Sequence, residues 1–326
     1  MALNTNFYMN NANESNIGSL RADGSEKPET NVSYDFGSFI SEIRDLFEGR
    51  ELEEVAAVFP YSNDFSHRKL AFEATSMLTR LLTYDLNTHL RAFGEYQLDA
   101  LMDEPPKLVM VPSPHNFSEA AFQQLLAYVE NGGTLLFTGP IRIDDNWRTA
   151  SRLQQEMGST TLENVLREEA LSIDGQTYCL AFGDRKIARL SKEVPSDGAV
   201  GLKELKLGKG KLLWCPLPVE LNDRAEPIKQ LYSYALEVAE VKREMDWIKG
   251  GEFPGVYGRK LAFNNGALFI FVSEFGQDAE IEVRDPKTGK SYSFMLAKER
   301  SVLFATNSAG QVIAVYRPQE VSIHIH

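Results

Sequence analysis

The sequence predicts an α/β fold: a parallel-sheet domain with helices on both faces, followed by a small antiparallel β-sandwich. Three observations carry that reading. Two apolar runs, Val55-Ala-Ala-Val-Phe-Pro60 and Leu108-Val-Met-Val-Pro112, lack polar alternation, as parallel strands covered on both faces do. They alternate with helical stretches at 65–82 and 118–130 and lead to a third strand, Thr134-Leu-Leu-Phe-Thr138. Beyond Trp247 the pattern changes to strands and turns alone.

Taken in order, residues 4–10 read as a short strand that runs into the polar loop 11–15. Asp23-Gly24 marks a turn, and Pro28 stands at a first helical position. Phe36, Phe39, Ile40, Ile43, Leu46 and Phe47 then fall on one helical face, a stripe that something must cover. In the helix from Ser118, that serine is the N-cap candidate and Asn131-Gly132-Gly133 the stop. Its core positions are Ala121, Phe122, Leu125, Leu126 and Val129. Asp144-Asp145-Asn146 lacks the glycine and distal glutamate of a calcium loop, and reads as a solvated loop capping a helix over 147–157.

Short runs between 171 and 207, including 177–182 and 187–190, predict hairpins inserted in the α/β domain. Lys211-Leu-Leu-Trp-Cys-Pro216 is a further buried strand, and Glu226-Pro227 opens a helix carrying Ile228, Leu231, Tyr232, Ala235 and Leu236. Six alternating strands follow, at 261–264, 267–272, 279–283, 291–296, 300–305 and 312–316, the pattern of an antiparallel sandwich. At the end, His324 and His326 would share a strand face without a third metal ligand, so a frayed terminus is expected.

With 326 residues and 43% apolar content, the chain can bury two substantial cores. Lys plus Arg is 34 against 46 for Asp plus Glu, a net charge of -12, which disfavours nucleic acid and anionic lipid as partners. Cys179 and Cys215 are too few for a disulfide framework and read as buried small hydrophobes. No run approaches the roughly 20 apolar residues of a membrane helix, and the first thirty residues hold no apolar signal core, so a cytoplasmic protein is expected.

No Walker loop, dinucleotide fingerprint, zinc spacing or serine elbow occurs, so no cofactor, metal or catalytic residue is assigned. Open α/β sheets bind ligands beyond the carboxyl ends of their strands. That rim would be built from 61–64, 113–116, 138–139 and 220–223. Its candidates for contacting a carbohydrate or another subunit are Tyr61, Asn63, Asp64, His115, Asn116 and Asn222. Helix capping competes for the same side chains, by Asp64 or Ser66 at the first helix and by Asn116 or Ser118 at the second. His67 and His89 read as ordinary helix-surface and strand residues.

Two stretches resemble a known family. Asn6-Phe-Tyr-Met-Asn-Asn11, with Gly-x-Leu-x-x-Asp-Gly-x-x-Lys-Pro over 18–28, resembles the last strand and helix of the (β/α)8 barrel of retaining glycoside hydrolases. Leu108-Val-Met-Val-Pro-Ser-Pro114 and Tyr128-Val-Glu-Asn-Gly-Gly-Thr-Leu-Leu-Phe-Thr-Gly139 resemble the flavodoxin-like trimerisation domain that follows the barrel in family 42 beta-galactosidases. The strands after Trp247 are similar to the C-terminal domain of the same enzymes.

The resemblance implies a barrel-end remnant over 1–50, a flavodoxin-like domain over 51–241 and a β-sandwich over 242–326. It implies a homo-oligomer, as a trimer, serving assembly and active-site shaping. The family's two catalytic glutamates lie upstream of these segments, so no residue here inherits either role; Glu14 would sit in the loop after the eighth barrel strand. A separately encoded barrel and a truncated gene both fit, and Phe36, Phe39, Ile43 and Phe47 would form an exposed face where the barrel packs. Class I glutamine amidotransferases share the fold, but glycine stands at the nucleophile's turn, Phe137-Thr-Gly139-Pro140, and Pro216 follows Cys215. A stand-alone carbohydrate-binding or regulatory module remains the alternative.

Overall fold

The computed structural model describes residues 21, 23–66, 69–183, 188–196, 198 and 200–326. The expected strand at 4–10, Glu14 and His67 lie outside them. The chain divides into two units, one of residues 52–243 and one that joins the N-terminal segment up to Glu51 with 244–326. The first helix, α1 (Glu29–Glu42), therefore belongs with the C-terminal strands rather than to a part of its own.

In the α/β unit the parallel strands are β1 (Val55–Phe59), β2 (Arg91–Gly94), β3 (Leu108–Pro112) and β4 (Thr134–Thr138). The intervening helices are α2 (Leu70–Arg80), α3 (Asp99–Asp103) and α4 (Glu119–Glu130). After α5 (Gln154–Met157) come β5 (Thr160–Asn164), β6 (Glu168–Ile173), β7 (Gln176–Ala181), β8 (Ser191–Pro195), β9 (Lys203–Leu207) and β10 (Gly210–Cys215), then α6 (Ala225–Val238). The main sheet has the order β2-β1-β3-β4-β10-β9. Its first five strands are parallel and β9 closes one edge antiparallel. The inserted residues pair as β5 with β8 and β6 with β7.

The apolar strands need covering on both faces, and they receive it. Val55, Ala57, Leu108, Met110, Leu136 and Leu213 face a core shared with α2 and α6. Their neighbours Ala56, Val58, Val109, Leu135, Phe137 and Trp214 face a second core with Phe122, Leu125 and Val129 of α4. Each fully buried large side chain contributes about 1.5–3 kcal/mol by leaving water.

Two helices depart from expectation. The one expected over 65–82 is divided into a 3-10 turn (Tyr61–Ser66), α2, and a wider π turn (Leu81–Asp85). Lys69 enters α2 from a left-handed conformation, φ 52°. At the far end the Thr83 hydroxyl donates to the Thr79 carbonyl at 2.6 Å, the kind of back-bonding that loosens a helical turn. The helix expected over 147–157 shrinks to α5. Asp144 Oδ1 accepts the amides of Asn146 (2.9 Å) and Arg148 (2.7 Å), folding that segment into a tight turn with Trp147 at φ 62°. Cys179 is exposed, contrary to expectation, because the alternation of β7 turns Leu180 inward instead; Cys215 is buried.

The other unit holds β11 (Asp246–Lys249), β12 (Val256–Phe263), β13 (Gly266–Ser273), β14 (Ala279–Arg284), β15 (Ser291–Leu296), β16 (Ser301–Asn307), β17 (Val312–Val315) and β18 (His324–Ile325). They form two antiparallel sheets, β11-β14-β15-β18 and β12-β13-β16-β17. Phe269, Phe271 and Phe304 of one sheet pack against Ile281, Tyr292 and Phe294 of the other.

The alternate residues of the second sheet, Leu268, Leu303 and Ala305, point outward, and Phe39 of α1, with Ile43 and Leu46 just beyond it, covers them. Phe36 and Phe39 meet Tyr316 edge-on at 6.3 and 6.1 Å, and Phe47 meets Phe263 at 5.4 Å. The stripe expected to be exposed is thus largely covered, with only Phe47 of its rings substantially open. The C-terminus is paired rather than frayed: Ser291 and His326 exchange backbone hydrogen bonds at 2.9 and 3.1 Å, and Ser293 Oγ lies 2.9 Å from His326 Nε2. Among the described residues no helix is long and apolar enough to cross a membrane.

Candidate functional site

The loops that follow β1, β2, β3, β4 and β10 meet at the carboxyl rim of the parallel sheet, and buried side chains bind them together. At its centre is Glu95, fully buried, immediately after β2. Its carboxylate accepts the Ser62 amide (2.7 Å), the Ser62 hydroxyl (2.9 Å) and the Ser118 amide, and so ties the β2 loop to those after β1 and β3. Burial pushes the Glu95 carboxyl above its ordinary value, against these donors.

Asn63 and Asn116 interlock beside it. Asn63 Nδ2 donates to the Asn116 carbonyl at 2.6 Å, the Asn116 amide donates to Asn63 Oδ1 at 3.2 Å, and Asn116 Nδ2 donates to the Ser62 carbonyl at 3.1 Å. The sheet order places β2 and β3 on opposite sides of β1, so the gap between the β1 and β3 loops is the switch point where open α/β sheets offer a crevice. Here these side chains fill that crevice.

The N-terminus of α4 is the natural anion site of such a crevice. It is already engaged, since the Ser118 amide is held by Glu95 and the Ala121 amide donates to Ser118 Oγ at 3.4 Å. A phosphate would have to displace a buried carboxylate.

The rest of the rim is closed in the same manner. Glu220 is buried; it accepts from Thr138 Oγ1 at 2.7 Å and from the Tyr232 hydroxyl at 2.8 Å, and burial raises its pKa to about 7. Glu193 accepts the amides of Ile141 (2.7 Å) and Arg142 (3.1 Å) and the Thr160 hydroxyl, and burial raises it too. Gly139, at φ 92°, occupies the turn after β4, where an added Cβ would lie 1.9 Å from the Ser113 carbonyl oxygen. Only glycine fits there, so no nucleophilic side chain can occupy that turn. Burial also pushes the Cys215 thiol far above its ordinary value, away from thiolate chemistry.

The six rim candidates therefore separate. Asn63 and Asn116 are inside the network, and buried Asn222 donates to the Val219 carbonyl (2.7 Å) while accepting the Arg224 amide (2.7 Å) ahead of α6. Asp64 accepts the Ala71 amide at 3.0 Å and so caps α2. His115 is 9% exposed, its ring edge-on to Trp147 at 4.9 Å. Tyr61 alone stands well out into solvent. Sequence reading missed Glu95, because it lies beyond a four-residue strand whose Gly94 weakens any strand signal. Among the described residues no group of three or more His, Cys, Asp or Glu could hold a metal ion.

Fold and rim together define a two-unit protein, α/β followed by β-sandwich, with a sealed carboxyl rim. No protein-family model matches the sequence, and no curated protein sequence matches it. Solved structures do resemble it. A catalytic mutant of Gan42B, a GH42 beta-galactosidase from G. stearothermophilus, matches 89% of this chain with 46% of its own at 12% identity and a TM-score of 0.63. The beta-galactosidase from Bacillus circulans sp. alkalophilus matches 88% with 46% of its own, at 14% identity and a TM-score of 0.62. A beta-galactosidase from the haloarchaeon Halorubrum lacusprofundi matches 94% with 44% of its own, at 16% identity and a TM-score of 0.52. The chain spans about half the length of the structures it resembles, and at these identities the likeness is one of fold.

Proposed function

We propose that this chain is a non-catalytic portion of a glycoside hydrolase-related protein, in which a flavodoxin-like unit and a β-sandwich serve assembly and the shaping of an active site carried elsewhere. The observation that carries this reading is the fold likeness, in which nearly the whole chain corresponds to less than half of GH42 beta-galactosidases. The sealed rim supports it. Glycoside hydrolysis needs two carboxyl groups facing one substrate bond, about 5 Å apart in a retaining enzyme. The buried rim carboxylates Glu95, Glu193 and Glu220 instead accept hydrogen bonds from the protein itself.

On this reading the working state is a homo-oligomer, a trimer by the resemblance, and a barrel encoded separately is a candidate partner. Light scattering on the purified chain at tens of micromolar should give the mass of more than one copy, and an aryl galactoside should remain uncleaved. A clean monomer removes the assembly role. Hydrolysis that disappears on changing one acidic residue of this chain overturns the non-catalytic reading.

A further inference from the structure

Above the sealed crevice, the solvent side of the rim is aromatic. Tyr61 is 48% exposed, Phe65 65%, Tyr96 51% and Trp147 46%, although rings of this size are ordinarily covered. They come from three of the rim loops. Tyr61 and Phe65 follow β1, Tyr96 follows β2 and Trp147 follows β4. Phe65 and Tyr96 lie nearly parallel, 6° apart with centroids at 6.5 Å. Tyr61 is braced edge-on against Phe59 at 4.6 Å, and Trp147 against His115 at 4.9 Å.

Burial, followed by the charges of Glu95 and Asp145, pushes the Tyr96 hydroxyl up to about 12, so it remains a protonated donor at any physiological pH.

We propose that this aromatic rim is a platform for a neutral saccharide, lying across the loops after β1 and β2. Three features select that class. The crevice is filled and the α4 N-terminus is held by Glu95, which excludes a nucleotide or other phosphate ligand. Glu95 and Asp145 beside Tyr96 disfavour an anionic ligand at that ring. Aromatic faces offer apolar area to the C–H face of a sugar ring, while tyrosine hydroxyls donate and carboxylates such as Asp145 accept at its hydroxyl groups. The inference goes beyond the assembly role and stands or falls separately from it.

The test is electrophoresis of the full chain through native gels containing β-1,4-galactan, arabinan, β-mannan or xyloglucan, with calorimetric titration of any polymer that retards it. Retardation by at least one polymer is expected, unaffected by 1 M NaCl or by tetramethylammonium. Phe65→Ala and Tyr96→Ala, at half-exposed rings, should each weaken binding about tenfold at unchanged melting temperature and unchanged mass by light scattering. Four results overturn the proposal: no retardation by any of the polymers, binding that both variants retain, competition by tetramethylammonium, which marks a cation site instead, or variants that lower the mass, which marks a subunit contact.

Discussion

The carboxyl rim of the α/β unit and the interior of the sandwich unit hold buried carboxylates by opposite means, while elsewhere in the α/β unit Glu169 pairs with Lys192 at 2.8 Å. At the rim of the α/β unit, Glu95, Glu193 and Glu220 are held by neutral donors, backbone amides and hydroxyls. In the sandwich unit, Asp285 faces the Lys260 ammonium at 2.6 Å, with both side chains at least 95% buried, and also accepts the Lys287 amide (2.8 Å) and the Thr288 hydroxyl (3.1 Å). Neutral donors position a carboxylate but do not offset its burial, so the group retains its proton more readily. A buried cation compensates the charge directly, and the pair then depends on both members. The rim should accordingly respond to pH, and the sandwich to loss of its cation.

The sharpest way to break the contrast is Lys260→Met. It leaves Asp285 charged and uncompensated in the interior, and should cost about 3–5 kcal/mol. Hydrogen exchange in peptides from β12 to β14 reads the loss locally, and a cost below about 1 kcal/mol would mean that the remaining donors suffice.

Next in size is the pH response of Glu220. Its ordinary value of 4.5 rises to about 7 in the folded chain, so the folded state binds its proton more tightly than the unfolded state. Stability from this group is fully present below pH 4.5 and is lost as pH rises through 7. The difference corresponds to roughly 3 kcal/mol. Glu220→Gln should flatten the urea-midpoint profile between those limits and be more stable than the parent at alkaline pH; parallel profiles for the two would refute this.

Glu95→Gln tests the same principle where backbone amides are the donors. The side-chain NH2 would meet the Ser62 or Ser118 amide, donor against donor, and should cost about 1–3 kcal/mol at neutral pH. Faster exchange of the Ser62 and Ser118 amides is the measurement. The smallest effect is expected at the edge of the rim, where Asp64→Ala removes the acceptor of the Ala71 amide and should cost about 1 kcal/mol, confined to α2.

Much of the fold is legible along the chain. The strands at 55–59, 108–112 and 134–138 follow from unbroken apolar runs, and Ser118 caps α4 as its position before the helix requires. The candidate site is less legible. Tyr61, Asp64 and His115 do come to the rim, but Asn63 and Asn116 serve each other, and the exposed aromatics Phe65, Tyr96 and Trp147 carry no local pattern that distinguishes them from core residues. The apolar stripe of α1 is plain in the sequence, while its partner sheet begins more than two hundred residues later.

What the sequence determined by itself is the set of faces that must leave water, because the 3.6- and 2-residue periods depend only on neighbouring positions. The tertiary structure decided what covers each face and which polar groups meet. Ser62 finds Glu95 across 33 positions, Thr138 finds Glu220 across 82, and Arg317 finds Asp35 across 282. Such pairings are fixed by strand order and by the stacking of sheets, which bring distant loops to one edge. A carboxylate's role as ligand contact or internal fastener is settled only there.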